Sequence, residues 1–127
     1  MNMNKVSFAF FIIFSLSINF AFFLGDIDNP DHHSSYELFV AIVVNLIATV
    51  LKFGERSQIG AILLATSLVA DLCLISAAVV WGVTIHVFHL PMVPEVMSSI
   101  VSLSGAALIA NLVSVTLLVL ETVTMRR

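Results

Sequence analysis

The stretch from Ile59 to Val87 sets the strongest limit on the possible folds of this chain. Apart from the titratable His86, its one charged residue is Asp71, which lies among Ala, Leu, Val, Ile and small hydroxyl residues. As a helix this stretch would be roughly 43 Å long, which exceeds the roughly 30 Å hydrocarbon core of a bilayer. It therefore predicts a membrane-spanning helix that carries a carboxyl group near its middle.

The composition assigns the whole chain to the membrane. Its 127 residues are 60% hydrophobic and 10% charged, whereas a soluble domain has about 25% charged residues. We expect a single transmembrane domain over residues 1–127, with the lipid bilayer as a partner. Five basic residues are too few for a nucleic-acid surface, so nucleic acid is excluded as a partner. The single cysteine, Cys73, excludes an intrachain disulfide.

Four apolar runs, separated by turn signals, predict four membrane helices at about residues 6–24, 37–52, 59–87 and 96–120. The second run reaches spanning length when Tyr36 and Lys52 lie at the two membrane interfaces. Pro91 and Pro94 end the third helix. The predicted fold class is an all-α membrane protein, a bundle of four transmembrane helices.

The basic residues predict the orientation of this bundle. With four crossings, all of them fall on the side of the two termini, namely Lys5, Lys52, Arg56, Arg126 and Arg127. Cytoplasmic segments carry an excess of Lys and Arg. We therefore expect a multi-pass protein with both termini in the cytoplasm.

Each predicted helix carries one strongly polar side chain in its middle third: Asn19, Asn45, Asp71 and Asn111. The three Asn residues can hold helices together by hydrogen bonds, or they can take part in transport. Asp71 differs because no Lys or Arg lies at its depth. It is expected to be either protonated and donating a hydrogen bond, or ionised beside a bound cation.

A ladder of small residues at every fourth position runs along the last helix: Ser98, Ser102, Ala106, Ala110 and Ser114. Small residues let another helix approach closely. The ladder predicts a packing face, used either inside the bundle or as the seam of a homo-oligomer.

Several possible metal ligands lie on the opposite side of the membrane from the basic residues. The loop from Gly25 to Glu37 contains Asp26, Asp28, Asp31, His32 and His33, and the third helix ends near His86 and His89. Asp-x-Asp resembles the opening of a calcium loop, but the Gly and Glu that such a loop requires are missing. A solvated acidic loop and a metal site both stay open.

Two functions from different classes fit these features. One is an accessory or structural subunit of a larger membrane complex, including one that handles ions. The other is a homo-oligomeric cation or proton transporter or channel with Asp71 as its binding group. An enzyme is not expected, because no helix carries a nucleophile and base pair, a metal motif or a phosphate loop, and no cofactor is expected.

The segment FGERSQIGAILLATSLVADL, Phe53 to Leu72, and the segment LGDIDNPDHH, Leu24 to His33, carry a resemblance. With these segments the chain resembles an uncharacterised family of small four-helix bacterial inner-membrane proteins. The resemblance implies a bacterial inner membrane and no particular mechanism.

Overall fold

The computed structural model describes residues 3–125, and four α-helices dominate this part of the chain. α1 spans Met3–Phe23, α2 spans Ser35–Lys52, α3 spans Gln58–Gly82 and α4 spans Pro94–Met125. Each of the four is long and apolar enough to cross a membrane. The prediction of an all-α bundle of four membrane helices is therefore confirmed.

The helices form a ring in which each one packs against two neighbours: α1 on α2, α2 on α3, α3 on α4, and α4 on α1. Short connections make successive helices antiparallel. Asn4, Lys52, Ser57 and Glu121, from the ends of different helices, line one cavity. The described chain thus begins and ends at the same end of the bundle, here called the terminal end. The opposite end, which holds the α1–α2 connection, is called the loop end.

Serine side chains cap the N-terminal ends of two helices. Ser34 Oγ accepts a hydrogen bond from the N–H of Tyr36 at the start of α2. Ser57 Oγ accepts one from the N–H of Gly60 at the start of α3, over 3.0 Å. A hydroxyl in this position satisfies one of the N–H groups that a helix leaves unpaired at its start.

The third membrane helix extends to Val87, as the hydropathy pattern predicts, but its last turn is not regular α-helix. Its α-helical part ends at Gly82 and one π-helical turn, Val83–Val87, follows. His89 then adopts a left-handed backbone with φ of 53°, and the N–H of Leu90 donates to the carbonyl of Thr84 over 2.9 Å. This reversal ends the helix before the first proline of the connection.

α4 is longer than its apolar run, since it extends to Met125 rather than to residue 120. Glu121 marks the end of the hydrophobic segment. A charged residue ends a hydrophobic segment without ending the helical backbone, so hydropathy alone places the helix end too early.

Two hydrophobic clusters fill the interior. The cluster nearer the loop end is the larger one, and its buried members are Phe22, Leu38, Ala41, Ala70, Leu74, Ala77, Met97, Ile100, Val101, Ala107 and Ala110. The cluster nearer the terminal end contains Phe8, Ile12, Ala48 and Leu63. Buried polar side chains, together with the half-buried Thr66, lie along the helices between these clusters. This polar layer, made of Ser15, Asn45, Thr49, Thr66, Ser67, Asp71, Asn111 and Ser114, is the candidate site.

Candidate functional site

Asn45 of α2 is the hub of the polar layer, and it is fully buried. Its Oδ1 accepts a hydrogen bond from Ser15 Oγ of α1 over 2.7 Å. Its Nδ2 donates to the backbone carbonyl of Ser67 over 3.1 Å and to Asp71 Oδ1 over 2.5 Å, both on α3. One side chain therefore connects three helices.

Asp71 has both carboxyl oxygens occupied by α2. Oδ1 faces Asn45, and Oδ2 lies 2.6 Å from Thr49 Oγ1. The residue is 5% exposed, and it forms no ion pair with any residue in 3–125. The two side chains that form hydrogen bonds with this carboxyl group are therefore both neutral.

The Thr49 hydroxyl bears on the protonation of Asp71, because it has one hydrogen and two oxygen neighbours. Thr49 Oγ1 lies 2.9 Å from the backbone carbonyl of Asn45 and 2.6 Å from Asp71 Oδ2. An ionised Asp71 would leave one of these contacts without a hydrogen. A protonated Asp71 that donates to Thr49 satisfies both, since Thr49 then donates to the Asn45 carbonyl.

Two further hydrogen bonds involve α4, and with them every pair of neighbouring helices in the ring is joined. This set of bonds between neighbouring helices is here called the circuit, and the Thr66–Ser114 bond shares no residue with the others in it. Asn111 Nδ2 of α4 donates to Ser15 Oγ of α1 over 3.4 Å. Ser114 of α4 shares a hydrogen bond with Thr66 of α3. Together with the contacts of Asn45, these bonds link α4 to α1, α1 to α2, α2 to α3, and α3 to α4. The polar layer thus holds each helix to both of its neighbours.

Of the four polar residues predicted to share a layer, three belong to this circuit and Asn19 does not. In the amide orientation that satisfies both groups, Asn19 Nδ2 donates to the carbonyl of Ser104 over 3.3 Å and Oδ1 accepts from the N–H of Leu108 over 3.0 Å. Asn19 lies one turn along α1 from Ser15 and is fully buried. It contacts the backbone of α4 rather than the circuit.

The sequence did not indicate the roles of Ser15 and Thr66 in the layer. Ser15 bridges α1 and α4, while Thr66 bridges α3 and α4. Small hydroxyl residues are common in membrane helices, so nothing in the sequence separates these two from the others. Thr49 and Ser67 offered a weak signal, since each lies one turn from Asn45 or Asp71.

Two buried oxygens of the layer have no hydrogen-bond partner among the described residues. They are Ser67 Oγ and Asn111 Oδ1, and both residues are 0% exposed. Ser67 lies beside the Asn45 amide, and Asn111 lies beside Ser15. The layer therefore contains two polar groups that are available for hydrogen bonds other than those that join the helices.

The ladder predicted on α4 does not form one packing face inside the bundle. Ala110 and Ser114 are buried, Ser98 is half-buried, and Ser102 and Ala106 are exposed. The reason is geometric, because four residues advance a helix by about 400°, so each step rotates the side chain by about 40°. The residues fully buried in α4 include Val101, Ser104, Ala107 and Asn111, which follow one another at steps of three, three and four residues and therefore stay on one face.

Of the candidate metal ligands at the loop end, Asp26 and His32 lie close together, with 4.0 Å between Asp26 Oδ2 and His32 Nδ1, but the candidates do not converge as a group. Within residues 3–125, no three His, Cys, Asp or Glu side chains are placed to hold one ion. Asp26, Asp28, Asp31, His32, His86 and His89 are exposed, whereas His33 is buried. The His32 ring is engaged by its own loop, because Nδ1 accepts from the N–H of Asp26 over 2.8 Å.

His33 instead fastens the loop to α1. Its Nδ1 lies 2.6 Å from the carbonyl of Phe22, at the end of α1, and its Nε2 lies 2.7 Å from the carbonyl of Asp26. A neutral imidazole can donate to one of these oxygens, and an imidazolium can donate to both. The carbonyls at the end of a helix lack partners within the helix, so His33 also satisfies one of them.

We expect His33→Ala to lower the free energy of unfolding by about 1–2 kcal/mol, because a buried carbonyl loses its donor. Thermal unfolding in mild detergent measures this loss. His86→Ala is the matched control, since His86 is exposed at the same end and its removal should change stability by less than about 0.5 kcal/mol. Equal losses in the two variants would contradict the fastening role of His33.

Comparison with known proteins places the chain among uncharacterised sequences. Residues 32–122 match the family described as "Family of unknown function (DUF6394)". Neither the curated proteins nor the solved structures contain a match. The matched segment includes α2, α3 and most of α4, and with them Asn45, Asp71 and Asn111. The chain therefore belongs to this family of unknown function.

Proposed function

We propose that this protein is a small accessory or structural subunit of a larger membrane complex, including one that handles ions. We infer that it lies in a bacterial inner membrane with both termini in the cytoplasm, and we assign it no enzymatic activity and no cofactor. The observation that carries this proposal is the circuit, the set of hydrogen bonds in the polar layer that joins each helix to both of its neighbours.

The circuit supports a structural use of the layer because its bonds join residues of this one chain. Asp71 contacts Asn45 and Thr49 with its two oxygens and is almost fully buried. Hydrogen bonds between membrane helices contribute about 0.6 kcal/mol each on average, so several bonds around one layer fix the register of the bundle. A bundle stabilised in this way is suited to act through its outer surface.

The aromatic face of α1 is the part of that surface that we assign to a partner subunit. Phe10 and Phe14 are exposed with ring centroids 5.8 Å apart, and Phe10, Ile13 and Phe14 line a shallow groove of about 390 Å³. Aromatic side chains are enriched where protein subunits meet. They also present stable shapes to a second helix, since each has only two side-chain torsions.

Purification in mild detergent tests the accessory role. A larger membrane protein should copurify in a fixed ratio, and Phe10→Ala with Phe14→Ala should release it. Phe39→Ala is the control, because Phe39 lies on α2 and is at least as exposed as Phe10 and Phe14. Recovery of a pure homo-oligomer, with no partner in either form, would contradict this proposal.

A second candidate is a homo-oligomeric transporter or channel for cations or protons, with Asp71 as the intramembrane binding group. The observation that favours it is the pair of buried oxygens without a partner among the described residues, Ser67 Oγ and Asn111 Oδ1. Together with the Asp71 carboxyl group, they are the kind of oxygen that small cations bind. Four helices are too few to enclose a pathway alone, so this function requires an oligomer.

The inferred orientation predicts the labelling of two introduced cysteines. In a Cys73→Ala background, Ser34→Cys should react with an impermeant maleimide added outside the cell, and Ser57→Cys should not. The two positions are matched, because each serine is the N-cap of a helix, one at the loop end and one at the terminal end. If only Ser57→Cys were labelled, the protein would lie in the opposite orientation, and the inference would be wrong.

A further inference from the structure

The terminal end of the bundle holds a cavity of about 610 Å³, a size within the range of roughly 300–1,000 Å³ for small-molecule sites. Its walls come from the first turns of α1, the last turn of α2, the α2–α3 connection and α4. The lining residues with polar side chains are Asn4, Lys5, Lys52, Glu55, Ser57 and Glu121.

The charges around this cavity are mixed, with two lysines and two glutamates lining one space. Lys52 is only 8% exposed. Its ammonium group lies 4.4 Å from the centre of the Phe8 ring and 3.9 Å from Glu55 Oε2. Ser57 Oγ donates to the other Glu55 oxygen over 3.3 Å. The ammonium of Lys52 and the carboxylate of Glu55 are therefore held in position at the wall.

The cavity lies where the apolar parts of the helices end. Lys5 comes directly before the apolar run of α1, and Lys52 is the last residue of α2. Lysines in such positions reach the level of the lipid headgroups. Val50 and Leu51 also line the cavity and are exposed, so apolar surface continues from it towards the hydrocarbon.

We propose that this cavity binds the headgroup of a phospholipid that carries both a phosphate and a primary amine. The phosphate lies against Lys5 and Lys52, and the amine lies against Glu121 and Glu55. An anionic headgroup without an amine meets the same two carboxylates and is disfavoured by them. The acyl chains lie along Val50 and Leu51, which a soluble phosphate compound does not use.

Native mass spectrometry of the purified protein, with phosphatidylethanolamine or phosphatidylglycerol added, tests this site. An ion pair in a partly exposed position is worth up to about 1 kcal/mol, so we expect about fivefold higher retention of phosphatidylethanolamine. Glu121→Gln should remove this preference, and Lys5→Gln should lower the retention of both lipids about fivefold. Arg56→Gln should change neither, since Arg56 lies in the same connection without lining the cavity.

Equal retention of the two lipids by the unmutated protein would overturn the proposal, as would equal effects of Lys5→Gln and Arg56→Gln. Soluble glycerophosphoethanolamine, at the same concentration as the lipid, should not displace it. Complete displacement would assign the cavity to a soluble phosphate compound and would also overturn the proposal. Lys52 is left unchanged because its contact with Phe8 belongs to the packing of the bundle, and circular dichroism checks that each variant is folded.

Discussion

Asn45→Leu is expected to cause a large loss of stability, because Asn45 is the hub of the polar layer. The change removes the bonds of Asn45 to Ser15, to the Ser67 carbonyl and to Asp71. It also leaves one oxygen of a buried carboxyl group without a donor. From about 0.6 kcal/mol for each membrane hydrogen bond and 1–3 kcal/mol for a stranded buried polar group, we expect a loss of about 2–4 kcal/mol.

Unfolding by titration with a denaturing detergent measures this loss, and Asn19→Leu is the matched control. Both asparagines are fully buried, so the two variants undergo the same change in volume and polarity. The hydrogen bonds of Asn19 go to the α4 backbone. We expect those backbone groups to keep their helical hydrogen bonds in the variant, so the loss should be about 1 kcal/mol. If Asn19→Leu destabilised the protein as much as Asn45→Leu, the circuit would not be what holds the helices together.

The second large effect is expected at Asp71, where two substitutions separate polarity from charge. Asp71→Asn keeps an oxygen that accepts from Asn45 and supplies an N–H that donates to Thr49, as a protonated carboxyl group does. We expect it to cost no more than about 1 kcal/mol, the scale of one membrane hydrogen bond. Asp71→Leu leaves Asn45 and Thr49 without these partners and should cost about 2–4 kcal/mol.

Flux in reconstituted vesicles decides between the two proposed functions with the same pair of variants. If the layer is structural, the protein with Asp71→Asn assembles normally and no flux depends on the carboxyl group. If Asp71 binds a cation or proton, Asp71→Asn assembles normally but loses proton- or cation-dependent flux. Normal flux in a folded Asp71→Asn protein would exclude the transport role, and normal assembly with flux lost would exclude a purely structural one.

The membrane class, the number of helices and the polar character of the mid-membrane layer can be predicted from the sequence alone. The hydropathy of a segment depends only on its own residues, so each apolar run predicts a spanning helix without information about the other helices. An isolated Asp71 in such a run must also find a partner, because hydrocarbon offers none. These properties are local, and a local pattern is enough to predict them.

Which polar groups contact one another depends on the tertiary packing of the four helices. The sequence contains no signal that Ser15 bridges Asn45 and Asn111, or that Asn19 turns to the α4 backbone, because these contacts depend on the rotation and relative height of four helices. The burial of the α4 ladder also depends on tertiary packing. A spacing of four residues rotates each successive side chain around the helix, so Ser102 is exposed while Ser114 is buried.

The sequence groups His33 with possible metal ligands, but its nitrogens are directed at the carbonyls of Phe22 and Asp26. A backbone carbonyl is present at every residue, so no sequence pattern indicates which carbonyl a side chain will reach.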